Sequence, residues 1–333
     1  MSHTPENLPA DEAPADRNWE AAVAVIDDLG LQLHDDPAVR HRSDRHSSLL
    51  LPCSGAAAEP FLLKFFVVPE DGTFYPAGVR LDEYPRREAA FYRFLDTTDP
   101  DRKDIPAPKT VLIDIEDPPR WILLERVIGA VGPAEEILGQ DHVFELLTKL
   151  RQISPESLIG RRHFPLNRWD PISYLERVRL MYDVLILAIG EQRWSRCQDF
   201  YKEALRWIES REQVVVHGDF TEENLLVNEE GQPFLLDFER IGIGNEDHDF
   251  AWFWIHSTRS PDWKHSLLQR YFGGRIGSER VRMEWGLRAA LVYLALRRLR
   301  FGYLVHGSED DKAPSNIALL DAALAGGNEL FVV

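Results

Sequence analysis

The sequence predicts an α+β protein in which short β-rich segments are set apart from long helical ones, without regular βαβ alternation. Apolar, β-branched runs bounded by turn residues occur at 60–68, 110–127 and 214–236. Through most of the remaining chain, apolar residues recur at three- and four-residue spacing, which is typical of helices. A chain of 333 residues is also long enough for about two domains, each with its own core.

The first β-rich segment places a lysine in the middle of an apolar strand. Residues 60–68 read PFLLKFFVV, with Lys64 at the centre. A lysine is rarely buried without a partner, so the pattern predicts either an ion pair or a soluble edge strand. Glu88 is the candidate partner, because residues 85–95 predict a helix with Pro85 in its first turn. A solvated helix position is the alternative for Glu88.

The next β-rich segment predicts a hairpin. Residues 110–115 and 121–127 are apolar strands, and Asp117-Pro118-Pro119 supplies the turn between them. The second strand leads into Gly129. From the residues alone, a plain core hairpin is the simplest interpretation.

A third β-rich segment contains three short strands in succession. Residues 214–216, 225–227 and 234–236 are apolar, and the turn at 228–231 joins the last two as a hairpin. We expect the three strands to form one small antiparallel sheet. Polar residues follow the first strand and the last, so their side chains should converge on one end of that sheet.

These polar residues have the types and spacing that phosphoryl transfer requires. His217-Gly218-Asp219 ends the first strand, Asn224 follows five positions after Asp219, and Asp237 ends the third strand. Such chemistry needs a carboxylate to orient the acceptor hydroxyl, and amide and carboxylate oxygens to hold Mg²⁺ on the phosphates. We assign Asp219 to the first role, with His217 as a second candidate catalytic residue, and Asn224 and Asp237 to the metal. An HGD turn alone would be an ordinary polar turn, and the coincidence of all three groups favours a catalytic site.

The segment resembles the aminoglycoside phosphotransferase and choline kinase superfamily, whose signature is HGDxxxxN followed by a strand ending in Asp-Phe. That resemblance implies a bilobal protein-kinase-like fold, with a small mixed β-rich N-lobe and a larger α-rich C-lobe carrying a catalytic β-hairpin. Glu239 after the Asp-Phe pair is similar to choline-kinase-like members. The matching residues are His217, Gly218, Asp219, Asn224, Asp237 and Phe238.

The resemblance also implies roles for residues outside the hairpin. Lys64 would contact the α- and β-phosphates of ATP, and Glu88 would orient Lys64. The interlobe hinge, whose backbone binds adenine, would lie at 125–129, with Glu125 and Val127 as the binding positions. Asp249 would accept backbone hydrogen bonds from the catalytic loop, in a structural role, with an N-terminal helix carboxylate as the simpler interpretation.

The loop expected to cover the phosphates departs from the family pattern. Residues 39–51 contain no glycine, although glycine lets backbone N–H groups approach phosphate oxygens closely. Ser47, with Ser43, Arg45 and Ser48, is the candidate for phosphate contact through its side chain. A polar hairpin without ligand contacts is the open alternative.

Composition agrees with a soluble enzyme. The formal net charge of −17 argues against nucleic acid or an anionic membrane as partner. Cys53 and Cys197 are too few for a disulfide scaffold and suit a reducing compartment, so we expect a cytoplasmic protein. Residues 1–17 lack the apolar core of a signal peptide.

Helical periodicity and the motif positions together predict a domain organisation. We expect a disordered acidic tail over 1–18, a nucleotide-binding N-lobe over 19–127, and a catalytic and acceptor-binding C-lobe over 128–333. The helices predicted in the C-terminal part are 134–153, 173–189, 195–210 and 281–306.

The predicted function is an ATP- and Mg²⁺-dependent kinase that phosphorylates a hydroxyl of an aminoglycoside-, choline- or sugar-like molecule. A catalytically weak or inactive nucleotide-binding module with a regulatory role is the alternative. Such a module would be expected to lack one of the chemical groups, and all four are present: Lys64, Asp219, Asn224 and Asp237.

Two further observations bear on the kind of kinase. Only eleven residues separate Asp237 from Asp249, too few for a protein-kinase activation segment. Acidic residues in the catalytic segment, Glu222, Glu223 and Glu239 among them, favour a cationic or neutral acceptor, and solvated surface charges of an acidic protein are the open alternative.

Overall fold

The structure is a computed structural model, and it describes residues 14–34, 48–67, 83–131, 138–160, 164–208, 211–307 and 310–326. Over these residues it confirms the α+β class, with helices and mainly antiparallel sheets. The helices are α1 (Pro14–Asp28), α2 (Glu83–Thr98), α3 (Gln140–Gln152), α4 (Pro155–Ile159), α5 (Pro171–Leu180), α6 (Tyr182–Ile208), α7 (Asp247–His256), α8 (Pro261–Phe272), α9 (Gly277–His306) and α10 (Ala313–Ala325). The strands are β1 (Gln32–Leu33), β2 (Ser48–Ser54), β3 (Pro60–Phe66), β4 (Thr110–Ile113), β5 (Trp121–Glu125), β6 (Gly129–Val131), β7 (Asn167–Trp169), β8 (Val214–Val216), β9 (Leu225–Asn228), β10 (Pro233–Leu235) and β11 (Gly242–Gly244).

The smaller of two compact units is built on a five-stranded antiparallel sheet. It comprises the described residues within 1–70 and 109–126, with strand order β1-β2-β3-β5-β4. β3 pairs with β2 on one side and with β5 on the other. Lys64 therefore lies on a central strand, and the edge-strand interpretation of its charge was wrong.

Helix α1 packs on this sheet and extends the ordered structure further towards the N-terminus than expected. Ala22 and Ile26 are fully buried in the same cluster as Leu51 and Leu63 of the sheet. The helix begins at Pro14, so residues 14–18 are helical although the sequence analysis assigned 1–18 to a disordered tail. Apolar side chains at helical spacing within 19–26 anchor this helix on the sheet. The acidic composition of the preceding residues gave no sign that the helix begins among them. Residues 1–13 lie outside the described residues.

The larger unit contains two three-stranded sheets where one was predicted around the catalytic motif. β9 and β10 form the predicted hairpin, to which β6 adds on the other side of β9. β8 belongs to a separate sheet, in which β11 pairs antiparallel with β8 and parallel with β7. The prediction of a single sheet failed because short strands choose partners through tertiary packing, which their own sequences do not encode.

Helix α2 belongs to the larger unit, which comprises the described residues within 71–108 and 127–333. Its Arg87 is buried and donates hydrogen bonds to the carbonyl oxygens of Pro165 at 2.5 Å and Glu239 at 2.7 Å. These bonds tie α2 to the segment after the β9–β10 hairpin. The predicted lobes of 19–127 and 128–333 divide the chain differently, placing α2 with the nucleotide-binding part, and remain a functional prediction.

The helices of the larger unit follow the predicted periodicity with shifted ends. The predicted helix 173–189 is two helices, because α5 ends at Leu180 before Met181 leaves helical geometry (φ −98°, ψ 4°). α6 is interrupted at Gly190, whose φ of 75° is not helical. α9 begins at Gly277, four residues before the predicted start. Within the described ranges, no helix has the length and hydropathy needed to cross a bilayer.

Candidate active site

The turn after β8 requires a glycine for two independent reasons. Gly218 has a φ of 81°, in the left-handed region that side chains rarely adopt. A Cβ placed on it would collide with the carbonyl oxygen of Arg240 and stand 2.7 Å from the indole nitrogen of Trp169. The backbone therefore turns sharply after β8, immediately before Asp219.

The carboxylate of Asp249 holds this turn from the first turn of α7. It is buried, and its two oxygens accept the backbone N–H groups of His217 at 2.7 Å and Gly218 at 2.9 Å. Burial raises the pKa of Asp249 to about 7, against the opposing effect of those two N–H donors. The role that the family resemblance implied for Asp249 is thus confirmed by its hydrogen bonds.

His217 is completely buried, and the hydrogen bonds of its ring identify its tautomer. Nε2 lies 2.9 Å from the carbonyl oxygen of Leu236, which only accepts, so Nε2 carries the proton. Nδ1 then accepts the backbone N–H of Asp219 at 3.3 Å. The ring connects the catalytic loop to the residue before Asp237 and holds both in place. Its burial favours a positioning role over the direct catalytic role predicted from the sequence.

Asp219 is partly exposed and lies beside an arginine. Its Oδ1 is 3.6 Å from the Arg240 guanidinium, which is itself 3.7 Å from the carboxylate of Glu239. Burial would lower the pKa of Arg240, but the charges of Asp219 and other neighbouring acids outweigh it and the net shift is upward. The guanidinium therefore stays charged beside the carboxylate of Asp219.

The hairpin brings Asn224 towards both aspartates. The Asn224 side-chain N–H donates to the carbonyl oxygen of Asp219 at 2.8 Å. The Asn224 backbone carbonyl accepts the Leu236 N–H at 2.9 Å. Asp237 follows Leu236 with a φ of 65°, a conformation that aspartate tolerates better than most residues. Asn224 is thus hydrogen-bonded to Asp219 and to Leu236, the residue directly before Asp237.

The Phe238 side chain fixes the hairpin end against α2. It is fully buried, with ring centroids 4.6 Å from Phe91, 5.5 Å from Tyr92 and 5.2 Å from His217. Aromatic packing of this kind resists rotation of the chain on either side. The preceding residue, Asp237, is therefore held by packing on one side and by the hydrogen bond between Asn224 and Leu236 on the other.

These residues fit a magnesium ion held partly by a nucleotide. Because the Asn224 amide nitrogen is directed to Asp219, its oxygen remains as an acceptor and receives no hydrogen bond from any described residue. Asp237 supplies a carboxylate nearby in sequence and structure. Mg²⁺ takes one or two protein oxygens and completes its shell with phosphates and water. Among the described residues there is no cluster of three or more His, Cys, Asp or Glu side chains that would hold a metal without phosphates.

Two of the acidic residues predicted to attract a cationic acceptor have cationic partners instead. Glu222 is buried, and Arg259 donates to its Oε1 at 3.2 Å, while Ser257 donates to the same oxygen at 2.7 Å. Glu239 is also buried and lies beside Arg240. Net charge along the sequence could not show this pairing, because it depends on residues brought in by folding.

The nucleotide-binding residues predicted from the first part of the chain lie in both units. Lys64 is buried on β3 of the smaller unit, with Nζ 5.6 Å from the Phe66 ring centroid. Glu88 is fully buried on α2 of the larger unit. Glu125 is exposed at the end of β5, and Val127 lies in the irregular segment before β6. Ser47 lies outside the described residues.

The comparison with known families agrees with this arrangement. Residues 55–285 match the phosphotransferase enzyme family. The chain belongs to that family. No curated protein matches the sequence.

Solved structures share the fold at low sequence identity. Choline kinase LicA from Streptococcus pneumoniae is 13% identical with a TM-score of 0.61, covering 95% of this chain and 100% of that one. Aminoglycoside phosphotransferase APH(4)-Ia, a thermostable mutant with ADP and hygromycin B, is 15% identical with a TM-score of 0.55, covering 92% and 98%. Macrolide 2'-phosphotransferase MphH from Brachybacterium faecium is 15% identical with a TM-score of 0.54, covering 93% and 97%.

Arg240 and Arg259 are members of the site that were not predicted from the sequence. Arg240 directly follows Glu239 in the run 238–244, which is otherwise free of charge, and two adjacent charges in such a run are a signal that could have been read. Arg259 had no local signal, because the residue that it pairs with lies 37 positions earlier.

Proposed function

We propose that this protein transfers the γ-phosphate of ATP, with Mg²⁺, to a hydroxyl group of a small molecule. The observation that carries the proposal is the loop in which Asp219, Asn224 and Asp237 are linked through hydrogen-bonded neighbours and held in place by Asp249. Membership of the phosphotransferase enzyme family supports the reaction class. The solved relative with bound ADP supports a nucleotide as co-substrate.

In the proposed reaction Asp219 orients the acceptor hydroxyl and receives its proton. The hydroxyl oxygen forms a bond to the γ-phosphorus of ATP, the bond from that phosphorus to the β–γ bridging oxygen breaks, and ADP leaves. Asn224 and Asp237 would hold Mg²⁺, which when bound neutralises charge on the phosphates. His217 keeps the Asp219 backbone in register, and Lys64, with Glu88, is assigned to the α- and β-phosphates.

The remaining assignments belong to the same proposal. Residues 19–127 would bind the nucleotide, with adenine at the backbone of Glu125 and Val127, and Ser47 would contact phosphate. Residues 128–333 would bind the acceptor. The solved relatives include a choline kinase and an enzyme bound to hygromycin B, so choline-, aminoglycoside- and sugar-like alcohols form the first acceptor panel. We propose a cytoplasmic location, consistent with two buried free cysteines.

A nucleotide-binding module with weak or no catalysis is the alternative function. The two proposals differ in turnover and agree in binding. The partly exposed carboxylate of Asp219 favours the enzyme, because a module that only bound nucleotide would have no need for a carboxylate on the acceptor side of the metal residues.

The test measures ADP production from ATP and Mg²⁺ against the acceptor panel, for the wild type, Asp219→Asn and Glu229→Gln. Glu229 is an exposed turn residue of the hairpin and serves as the matched control. We expect Asp219→Asn to lower turnover by roughly 10²- to 10⁴-fold with nearly unchanged MgATP affinity, and Glu229→Gln to behave as the wild type. MgATP binding without turnover for any acceptor would favour the binding module, and an Asp219→Asn enzyme with more than about half of the wild-type rate would remove Asp219 from its role.

A further inference from the structure

Two arginines flank one tryptophan beside the catalytic carboxylate. The Arg240 guanidinium carbon lies 5.6 Å from the Trp252 ring centroid, and that of Arg297, from α9, lies 4.6 Å from it. Arg240 is at the same time 3.6 Å from Asp219. We call Arg240, Trp252 and Arg297 the arginine cluster.

The arginine cluster is rich in hydrogen-bond donors that have no acceptor among the described residues. The Trp252 indole nitrogen is buried, in a residue 3% exposed, and has no hydrogen-bond partner there. The Arg297 guanidinium makes no hydrogen bond or ion pair with any described residue, and its contact is the face of Trp252. Arg240 forms long ion pairs with Asp219 and Glu239, and its buried Nε has no hydrogen-bond partner in the described chain. Buried donors without acceptors are costly, and a missing ligand is one of their few explanations.

No described carboxylate forms an ion pair with Arg297. Asp219 and Glu239 both lie within 4 Å of Arg240, and the charge of Asp219 acts on Arg297 only from a longer distance. The next residue on α9, Arg298, donates to the Ile255 carbonyl oxygen at 2.9 Å and adds a further positive charge.

The neighbouring histidine does not offset the guanidinium charge either. His256 faces Trp252, and its Nδ1 donates a hydrogen bond to the Trp252 carbonyl oxygen at 2.9 Å. The ring is neutral because burial lowers the pKa of His256 to about 3. The guanidinium of Arg297 remains charged at all relevant pH values.

The position of the cluster indicates which reactant would bind it. Arg240 contacts the carboxylate assigned to the acceptor hydroxyl. Arg297 contacts the same Trp252 ring as Arg240. Trp252 lies on α7 and Arg297 on α9, two helices that follow the proposed metal-binding hairpin in the chain. Arg297 is partly exposed as a whole residue. Guanidinium groups bind carboxylate and phosphate oxygens with paired, charge-assisted hydrogen bonds.

We propose that Arg240, Arg297 and the Trp252 indole N–H bind an oxyanion group, a carboxylate or a phosphate, carried by the phosphoryl acceptor. The inference rests on the proposed function, since it assigns the substrate class of the same site. The acceptor is then a hydroxy acid or a phosphorylated alcohol, opposite in charge to the cationic or neutral acceptor predicted from the sequence. The transferring phosphoryl group is the rival source of the same chemistry.

The first experiment measures oxyanion binding without catalysis. Inorganic sulfate, at low millimolar concentration, is titrated into the full-length protein with saturating ADP and Mg²⁺, and the Tm is recorded. The variants are Arg297→Gln, Arg297→Lys and, as control, Arg282→Gln, which removes an arginine from the first turns of the same helix. ADP and Mg²⁺ alone must first raise the Tm. If they do not, the proposed function fails on its own account, separately from the sulfate result.

We expect sulfate to bind the wild type and Arg282→Gln with equal affinity and to bind Arg297→Gln about tenfold or more weakly. Arg297→Lys should restore part of the sulfate affinity. General salt stabilisation acts on all four proteins equally and cancels. Equal sulfate affinity in all four would overturn the proposal. Loss of sulfate binding when a non-hydrolysable ATP analogue replaces ADP would also overturn it, by assigning the oxyanion site to the transferring phosphoryl group.

The second experiment compares small alcohols of different charge as acceptors. Turnover is measured with glycerol, glycerate and glycerol 3-phosphate, and with choline as the cationic alcohol. We expect kcat/KM to be highest for an anionic member, and Arg297→Gln to reduce that preference at least tenfold while Arg282→Gln preserves it. A higher kcat/KM for choline than for both anions would overturn the oxyanion assignment and leave the phosphotransferase function standing.

Discussion

The Asp249 carboxylate and the Gly218 backbone are joined by a 2.9 Å hydrogen bond in which the amide donates. The second carboxylate oxygen accepts the neighbouring His217 N–H at 2.7 Å. Two donors on one buried carboxylate leave the turn little freedom, and Asp219 is the next residue. The start of α7 thereby determines where the candidate catalytic carboxylate stands.

Asp249→Asn is expected to lower both stability and turnover. An amide has one acceptor oxygen where the carboxylate has two, so one of the two backbone N–H groups loses its partner. The free energy of unfolding should fall by about 1–3 kcal/mol, measured by urea denaturation, and kcat should fall with it. Asp262→Asn, at an exposed position of α8, is the control and should change neither. Wild-type kcat in Asp249→Asn would show that the loop keeps its geometry without this carboxylate.

Gly218→Ala should be destabilising beyond the cost of its backbone conformation. A left-handed residue with a Cβ costs roughly 1–2 kcal/mol, and here the Cβ also meets the Arg240 carbonyl and the Trp169 indole. Gly274→Ala is the matched control, because Gly274 has a φ of 76° with nothing within 4 Å of a built Cβ. The difference between the two variants in lost free energy of unfolding, measured by denaturation, gives the cost of the collision alone. Equal losses of stability would mean that the turn relaxes around the methyl group.

Asp237→Asn should weaken MgATP binding as well as turnover. The amide keeps the shape of the side chain and tolerates the φ of 65°, but it removes the negative charge that the metal requires. Titration calorimetry with ATP, in the presence of Mg²⁺ and again with a chelator, gives the affinity. We expect the difference between the two conditions to shrink in the variant. An unchanged MgATP affinity would show that Asp237 does not bind the metal.

His256→Gln should make the protein less sensitive to acid. Burial, together with the nearby charge of Arg298, lowers the pKa of His256 to about 3 in the folded chain, whereas a histidine in the unfolded chain has a pKa near ~6.5. The unfolded state therefore binds a proton below about pH 6.5 that the folded state does not, and stability is lost as the pH falls.

The measurement is a difference between two unfolding curves at each pH. Between about pH 6.5 and 5, the wild type should lose about 1.5 kcal/mol relative to His256→Gln. Other titrating groups, including Asp249, whose pKa is raised to about 7, are common to both proteins and cancel. Parallel stability profiles over this range would contradict the assignment of acid sensitivity to His256.

Local chemistry was readable from the sequence because it depends on short spacing. The hairpin of β9 and β10 followed from two apolar runs with a turn between them. The Asp249 contact followed from the family resemblance. The separate sheet that holds β8 was not predictable, because β8 ends at Val216, its partner β11 begins only at Gly242, and both strands are 3 residues long.

The sequence by itself determined the α+β class, the reaction chemistry suggested by Asp219, Asn224 and Asp237, and the family to which the chain belongs. Only the tertiary structure decided which charges are compensated. Glu222 lies between Asp219 and Asn224, yet it is neutralised by Arg259, whereas Arg297 from a distant helix stands beside Trp252 without an ion pair to any described carboxylate. The physical reason is that periodicity and motif spacing act along the chain, whereas the energy of a buried charge depends on the groups that folding places around it.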